Sequence, residues 1–193
     1  MTSKRDDLLK AAKKLLWERG YEATSPRDIQ EASGAGQGSF YHHFDGKLAL
    51  AVAALEEVSA EMSASATSLA GIHASGADRV SRYLSSTRDG VKGCRLGRFA
   101  SESAIAEPEL RAPIERYFSG LERYLGQALS DAQRSGELDS KCNPADLALM
   151  LVAVVQGGYV LSRIHRDRDA INRATAAALA LLREASSRPR RAC

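Results

Sequence analysis

Cysteine is scarce in this chain. There are three, Cys94, Cys142 and Cys193, an odd number with no CxxC pair, so a disulfide framework is excluded and a reducing cytosol is the expected setting. The first residues, Met1 to Asp7, hold no apolar core, which excludes a signal peptide. Long hydrophobic runs are missing too. The longest uncharged run, Leu147 to Ser162, has 16 residues and includes Gln156 and a glycine pair; a spanning helix needs roughly 20 apolar residues. It reads as a buried helix, and no membrane partner is expected. No stretch alternates apolar and polar residues around β-branched side chains, so no sheet is expected. Neither sign of charge dominates: the formal net charge is +3 and the pI about 8.8. That balance permits nucleic-acid binding without arguing for it.

Enzymatic signatures are absent as well. No GxSxG elbow, metal constellation or cofactor loop occurs, so no catalytic residue, metal or cofactor is expected and the chain reads as a non-enzyme. His42 and His43 are adjacent, which on a helix points them about 100° apart, and no nearby cysteine completes a metal site. The glycines from Gly34 to Gly38 do not follow GxGxxG, no strand precedes them and no Walker lysine follows. What remains, 193 residues with 44% hydrophobic and 26% charged, is a soluble chain long enough to bury a real core.

Helical periodicity fills the chain. A first helix from about Ser3 to Arg19 has Leu8, Ala12, Leu15 and Leu16 on one face. Ser3 and Asp6 form a prospective capping box, Gly20 a stop, and Trp17 a packing residue. Thr24 or Ser25 can cap a short helix from Pro26 to Ala32, which Ser33-Gly34 ends. A second short helix, about Gln37 to His43, turns Phe40 and Phe44 inward and leaves Gln37, Gly38, Ser39, Tyr41 and His42 on or near its outer face. Longer helices are expected at about Lys47 to Ala70, Ala77 to Asp89, Leu96 to Glu107, Pro108 to Ser135, Pro144 to His165 and Asp169 to Ser186. Breaks are expected at Gly90 to Gly93, near Pro108 and Pro113, at Ser135-Gly136 and at Arg166 to Asp169. Gly71 to Gly76 reads as a loop, and residues 187–193, with Arg188, Arg190 and Arg191, as a disordered basic tail. The fold class is therefore all-α. A helix-turn-helix domain in residues 1–46, the minimal unit that presents side chains to a major groove, precedes a longer helical part in residues 47–186.

Glu18-Arg19-Gly20-Tyr21-Glu22-Ala23-Thr24, Arg27-Asp28-Ile29, Gly38-Ser39-Phe40-Tyr41-His42-His43-Phe44 and Lys47 together resemble the DNA-binding domain of TetR-family transcriptional regulators. Gly93-Cys94-Arg95-Leu96-Gly97 with Phe99-Ala100 is similar to a "GC-L-G-A" segment of one branch of that family. The resemblance implies a nine-helix protein that works as a homodimer through its last two helices, represses transcription from a double-stranded DNA operator and releases it when a small molecule binds. In that branch some members sense electrophiles or oxidants through cysteine. Gly36-Gln37 departs from the Ser-Lys common in the family. Gly36 gives up a side-chain cap, and Gln37 exchanges a cation for an amide able to pair with adenine. Gly46 replaces a commoner polar residue.

The residue chemistry divides the interface into phosphate clamps and base readers. Thr24 and Ser25 sit at a helix N-terminus, which suits a phosphate. Tyr41 and His42 resemble the family's backbone-contact pair, and Lys47 offers a further cation. Arg27, Gln37 and Ser39 are candidates for base edges, with Gly38 allowing close approach. In the second half, Tyr83, Phe99, Tyr117, Phe118, Leu121, Tyr124, Met150, Gln156 and Tyr159 are candidates to line a pocket for a small hydrophobic or aromatic effector. Cys94, beside Lys92, Arg95 and Arg98, is a candidate reactive thiol. The helix from Pro144 is apolar nearly all round and must be buried on several sides; Gly157-Gly158 would admit a close neighbour. With the stripe Ile171, Ala174, Ala178, Leu181 and Leu182 it proposes a four-helix dimer interface, setting two reading heads roughly 34–36 Å apart on a near-palindrome. The competing readings are a helical dimer that binds small molecules without DNA, a cysteine-based redox or electrophile sensor, and an activator.

Overall fold

The computed structural model describes residues 3–68, 74–138 and 141–187, with side chains through Glu184. Leu69 and Ala70 at the end of the expected fourth helix, the first residues of the Gly71 to Gly76 loop, and the tail from Arg188 lie outside the described residues. Among those described there are eight α-helices and no strand. They are α1 (Lys4–Arg19), α2 (Pro26–Ser33), α3 (Gln37–His43), α4 (Lys47–Ser68), α5 (Gly76–Ser85), α6 (Pro108–Arg134), α7 (Pro144–His165) and α8 (Ala170–Ser187).

The helix starts follow the capping chemistry. Ser3 accepts the Asp6 amide while the Asp6 carboxylate accepts the Ser3 amide, and Ser25 and Asp28 repeat the arrangement ahead of α2. Asn143 accepts from the Ala145 amide, and Pro144 opens α7. Gly34 ends α2 in the left-handed conformation, and Arg166 ends α7 the same way.

Three expectations are corrected. First, α5 stops at Ser85 rather than Asp89, because Arg88 folds back and donates to the carbonyls of Tyr83 (2.6 Å), Ser86 (2.8 Å) and Leu84 (3.3 Å). That guanidinium supplies the partners the last turn would otherwise lack. Second, α6 runs through Pro113 without a break. So close to the N-terminus, proline costs only the bond to the Glu109 carbonyl, and Glu109 is exposed to water. Third, the helix expected from Leu96 to Glu107, one of the nine the resemblance implies, is replaced by two short 3-10 turns, Gly97–Ser101 and Ser103–Ala106. Leu96 and Phe99 anchor the first turn in the core. Glu102 between the turns is extended, and its carboxylate accepts backbone N–H groups from Tyr21 and Glu22.

The chain forms two compact units. The first joins the described residues up to Met62 with Arg95–Tyr117; the second joins those of Ser63–Cys94 with those from Phe118 onward. In the first, α2 and α3 pack on α1, with Leu8, Leu9, Ala12, Leu16, Ile29, Phe40 and Phe44 buried. In the second, α7 and α8 pack tightly on each other. Gly158 lies at their crossing, where a Cβ would stand 2.8 Å from Ile171 Cγ1 and 3.0 Å from its Cα. Gly157 meets nothing within 4 Å, so only one of the pair serves this approach. Gly158→Ala gains about 1 kcal/mol of helix propensity but forces the helices apart, which costs about 1–3 kcal/mol. The expected net loss of stability reads out in urea denaturation; an unchanged midpoint would contradict the close crossing.

Candidate nucleic-acid interface

Seven residues of α3 divide cleanly by helical period. Phe40 is fully buried and Phe44, its C-terminal cap, nearly so. Gln37, Gly38, Tyr41 and His42 are exposed, Ser39 half-buried. Tyr41 stands 53% exposed, braced edge-on against Phe40 with ring centroids 5.0 Å apart. Gly38 has open space where a Cβ would project, so a duplex can approach its backbone. Gly36 caps the helix without a side-chain bond, as its lack of a hydroxyl requires.

The clamps behave differently from one another. Ser25 is exposed at the start of α2, its hydroxyl accepting the Asp28 amide and donating to the Asp28 carboxylate (2.6 Å). Hydrogen bonds from Ser25, foremost through its side chain, hold the Asp28 carboxyl below its ordinary value. Thr24 corrects the expectation of a hydroxyl contact with phosphate. It is 1% exposed and donates to the Gly20 carbonyl at 2.6 Å, because closing the α1–α2 connector requires a partner for that carbonyl. Arg27 is highly exposed and ion-paired with Glu31 at 2.8 Å, a surface contact that a base edge can displace. Lys47 is half-buried with its Nζ 4.1 Å from the Tyr21 ring centroid. Burial draws its pKa below the ordinary lysine value, opposed by Glu102 and Glu22.

Of the expected pocket residues, Phe99 and Tyr117 are buried in the first unit, and Tyr83, Cys94 and Leu121 in the second. Phe118, Tyr124, Gln156 and Tyr159 are half-buried. Met150 is corrected: it is 44% exposed on the outer side of α7, since every face of that helix is apolar and sequence alone does not say which is turned in. Cys94 is 6% exposed. The neighbouring Arg95 reaches Glu61 at 2.8 Å, and Arg98 donates to the Trp17 carbonyl. Tyr83, Cys94, Tyr159 and Arg88 are brought together. Burial raises the phenol of Tyr159 to about 12, reinforced by Cys94 and opposed by Arg88; burial also raises Tyr83, again opposed by Arg88, whose guanidinium carbon lies 4.9 Å from the Tyr83 ring centroid. The Tyr124 hydroxyl is buried without a hydrogen-bond partner.

Sequence reasoning missed two features. A cavity of about 550 Å³ between α5 and α8, lined by Leu84, Thr87, Asn172, Thr175, Leu179 and Arg183 among others, contains none of the expected pocket residues. Its polar residues are scattered along two helices and carry no motif. The other is the pair Glu22 and Glu102: the Glu102 carboxylate accepts the Glu22 amide across 80 positions of sequence, and the Glu22 carboxylate accepts the Ala104 amide.

Residues 8–54 match the family model described as "Bacterial regulatory proteins, tetR family", and residues 76–178 match "Tetracyclin repressor-like, C-terminal domain". The chain is 27% identical over 175 residues to the HTH-type transcriptional repressor DhaR of Mycobacterium sp. (strain GP1), covering 89% of this chain and 88% of that protein. It is 25% identical to the HTH-type transcriptional repressor NemR of Escherichia coli (strain K12), covering 89% and 90%. The crystal structure of E. coli NemR in its reduced form superposes with a TM-score of 0.82 over 91% of this chain and 95% of that one at 25% identity. A TetR-family regulator from Agrobacterium tumefaciens superposes with a TM-score of 0.83 over 93% and 97%, at 22% identity.

The buried phenol yields a pH expectation. With its folded pKa raised to about 12, Tyr159 binds its proton more tightly folded than unfolded, where tyrosine ionises near about 10. Its contribution to stability is therefore complete below about pH 10 and is lost as pH rises toward about 12. In a spectrophotometric titration of tyrosinate, Tyr159→Phe should remove the most alkaline transition and flatten the alkaline loss of stability; an unaltered titration would refute the assignment.

Proposed function

This chain belongs to the TetR family and is a DNA-binding transcriptional regulator, and we propose that it is a homodimeric cytoplasmic repressor released from its operator by a small hydrophobic or aromatic molecule. The observation that carries the reading is the exposed face of α3, where Gln37, Gly38, Tyr41 and His42 stand clear of the core that Phe40 and Phe44 complete. Its relatives are named as regulators, and catalysis forms no part of the proposal. Residues 1–46 supply the reading head and residues 47–186 the regulatory and dimerisation part.

Tyr41, His42, Lys47 and the exposed N-terminus of α2 at Ser25 serve as phosphate contacts, with Lys47 steered by the Tyr21 ring it lies over. Gln37, Ser39 and Arg27 serve as base readers. The dimer is proposed to form through α7 and α8. Leu149, Met150, Val160, Leu161 and Ile164 of α7 and Leu181 of α8 are all large, apolar and exposed, and a contiguous exposed apolar seam on one helix is what a partner surface requires. Tyr83, Tyr159 and Tyr124 offer aromatic surface, and Tyr124 a buried hydroxyl without a hydrogen-bond partner, that an aromatic effector would engage.

Two expectations follow. In gel shifts on the DNA flanking its own gene, Tyr41→Ala and Lys47→Ala weaken binding to all sequences alike, and Lys47→Ala lowers the salt slope by about one. Gln37→Ala instead changes base preference. Unchanged affinity of the Tyr41 and Lys47 variants would sink the assignment. In sedimentation, Leu149→Glu combined with Ile164→Glu yields a folded monomer without operator binding; a dimer that persists places the interface elsewhere.

A further inference from the structure

The end of α1 is not completed by its own neighbourhood. Its final carbonyls and the amides just beyond it need partners. Gly20 donates to the Leu16 carbonyl, but the Trp17 carbonyl is met by the guanidinium of Arg98, a favourable charge for a helix C-terminus. The next two amides, Tyr21 and Glu22, both donate to Glu102 Oε2, at 2.8 and 3.0 Å. Glu22 answers in the opposite direction: its Oε1 accepts from the Ser103 hydroxyl and from the Ala104 amide (3.3 Å). The Glu102 carboxylate thus holds the connector's backbone, and the Glu22 carboxylate holds the two residues that follow Glu102.

Two further observations make this a built contact. Gly20 has φ +91°, and a Cβ there would fall 2.3 Å from Glu102 Oε1, so the connector is shaped to admit that carboxylate. The same Oε1 is buried and has no hydrogen-bond partner, a desolvation cost borne where the geometry of the connector demands it. The connector leads directly to Ser25 at the N-terminus of α2, and Tyr21 within it carries the Lys47 ammonium on its ring. Two proposed phosphate contacts therefore depend on where this clasp holds residues 20–24.

We propose that Glu102, seconded by Glu22 and Arg98, is a positioning residue for operator binding: without touching DNA, it holds the α1–α2 connector in the geometry that presents Ser25 and Lys47 to the phosphates. The proposal rests on the regulator reading above. It makes the segment after Cys94 a working part of the reading head.

The sign of the effect separates positioning from simple charge. Glu102→Ala and Glu102→Gln each delete a negative charge close to Lys47, and electrostatics alone would tighten binding to a polyanion. Positioning requires the reverse. With the full-length chain and fluorescent DNA from upstream of its own gene, Glu102→Ala weakens binding about tenfold, the size expected when hydrogen bonds to a charged acceptor are lost. Glu102→Gln, which keeps an acceptor oxygen, loses less, and the Tyr21 and Glu22 amides exchange faster with solvent deuterium in Glu102→Ala. Operator binding by Glu102→Ala equal to or tighter than that of the unmodified chain overturns the proposal. Should that variant not fold, Glu102→Gln and Ser103→Ala carry the test, and unweakened binding by both overturns it. If the unmodified chain shows no salt-dependent binding to this DNA, the regulator reading fails and the proposal with it, a result distinct from any effect of Glu102.

Discussion

A seven-residue helix does not hold together in water by itself, because nucleation costs more than its few hydrogen bonds return. α3 is such a helix, and it begins at Gly36 without a side-chain cap. It exists because Phe40 and Phe44 are taken into the core formed with α1. The same period that spends Phe40 and Phe44 on folding frees Gln37, Gly38, Tyr41 and His42 for the outside. Folding and the proposed recognition are thus two faces of one turn of helix, and whatever steadies α1 steadies the exposed face of α3.

α1 is accordingly supported along its length. Ser3 and Asp6 close its start. Lys13 donates to both Glu57 and Glu61 of α4 at 2.9 Å. Its far end is met by Arg98, and the connector just beyond it by Glu102, while Glu22 accepts from Ala104. These contacts are polar and partly exposed, so individually each adds little stability. Their value lies in direction: a hydrogen bond fixes where a backbone segment points, which burial of a methyl group does not.

Much of this was legible in the sequence because it is local. The capping box at Ser3, a hydroxyl cap ahead of Pro26, the stop at Gly34, the Asn143-Pro144 start and the inward pair Phe40 and Phe44 are all decided within one turn of the chain. What escaped was decided by which particular partner a group finds, near or far along the chain. Thr24 looks like any N-terminal hydroxyl until the Gly20 carbonyl beneath it claims the proton. Leu96 to Glu107 has composition enough for a helix, yet the pull of Glu102 toward Tyr21 and Glu22 outweighs the propensity that would have continued it. The exposed face of α3 was the more readable part of the candidate site, since a short amphipathic helix has one core face. The pocket candidates were less so, because buried aromatics look alike whether they line a cavity or fill one.

α7 carries the last step. On a helix that serves one chain only, large apolar residues turn inward and small or polar ones outward. Here Ala148, Gly158 and Ser162 are buried alongside Leu151, Val152 and Val155, while Leu149, Met150, Val160, Leu161 and Ile164 face out. Small residues on the inner side let α8 approach closely, which Gly158 and Ile171 demonstrate. Large ones on the outer side are stable in water only at a cost of about 1.5–3 kcal/mol each relative to burial. A reading head built on one short helix contacts few bases, and in the homodimer proposed above two heads related by a two-fold axis would double them. On that proposal the outward seam of α7 and the brevity of α3 would answer one requirement: a helix too short to recognise an operator alone, paired with a helix too apolar to remain alone.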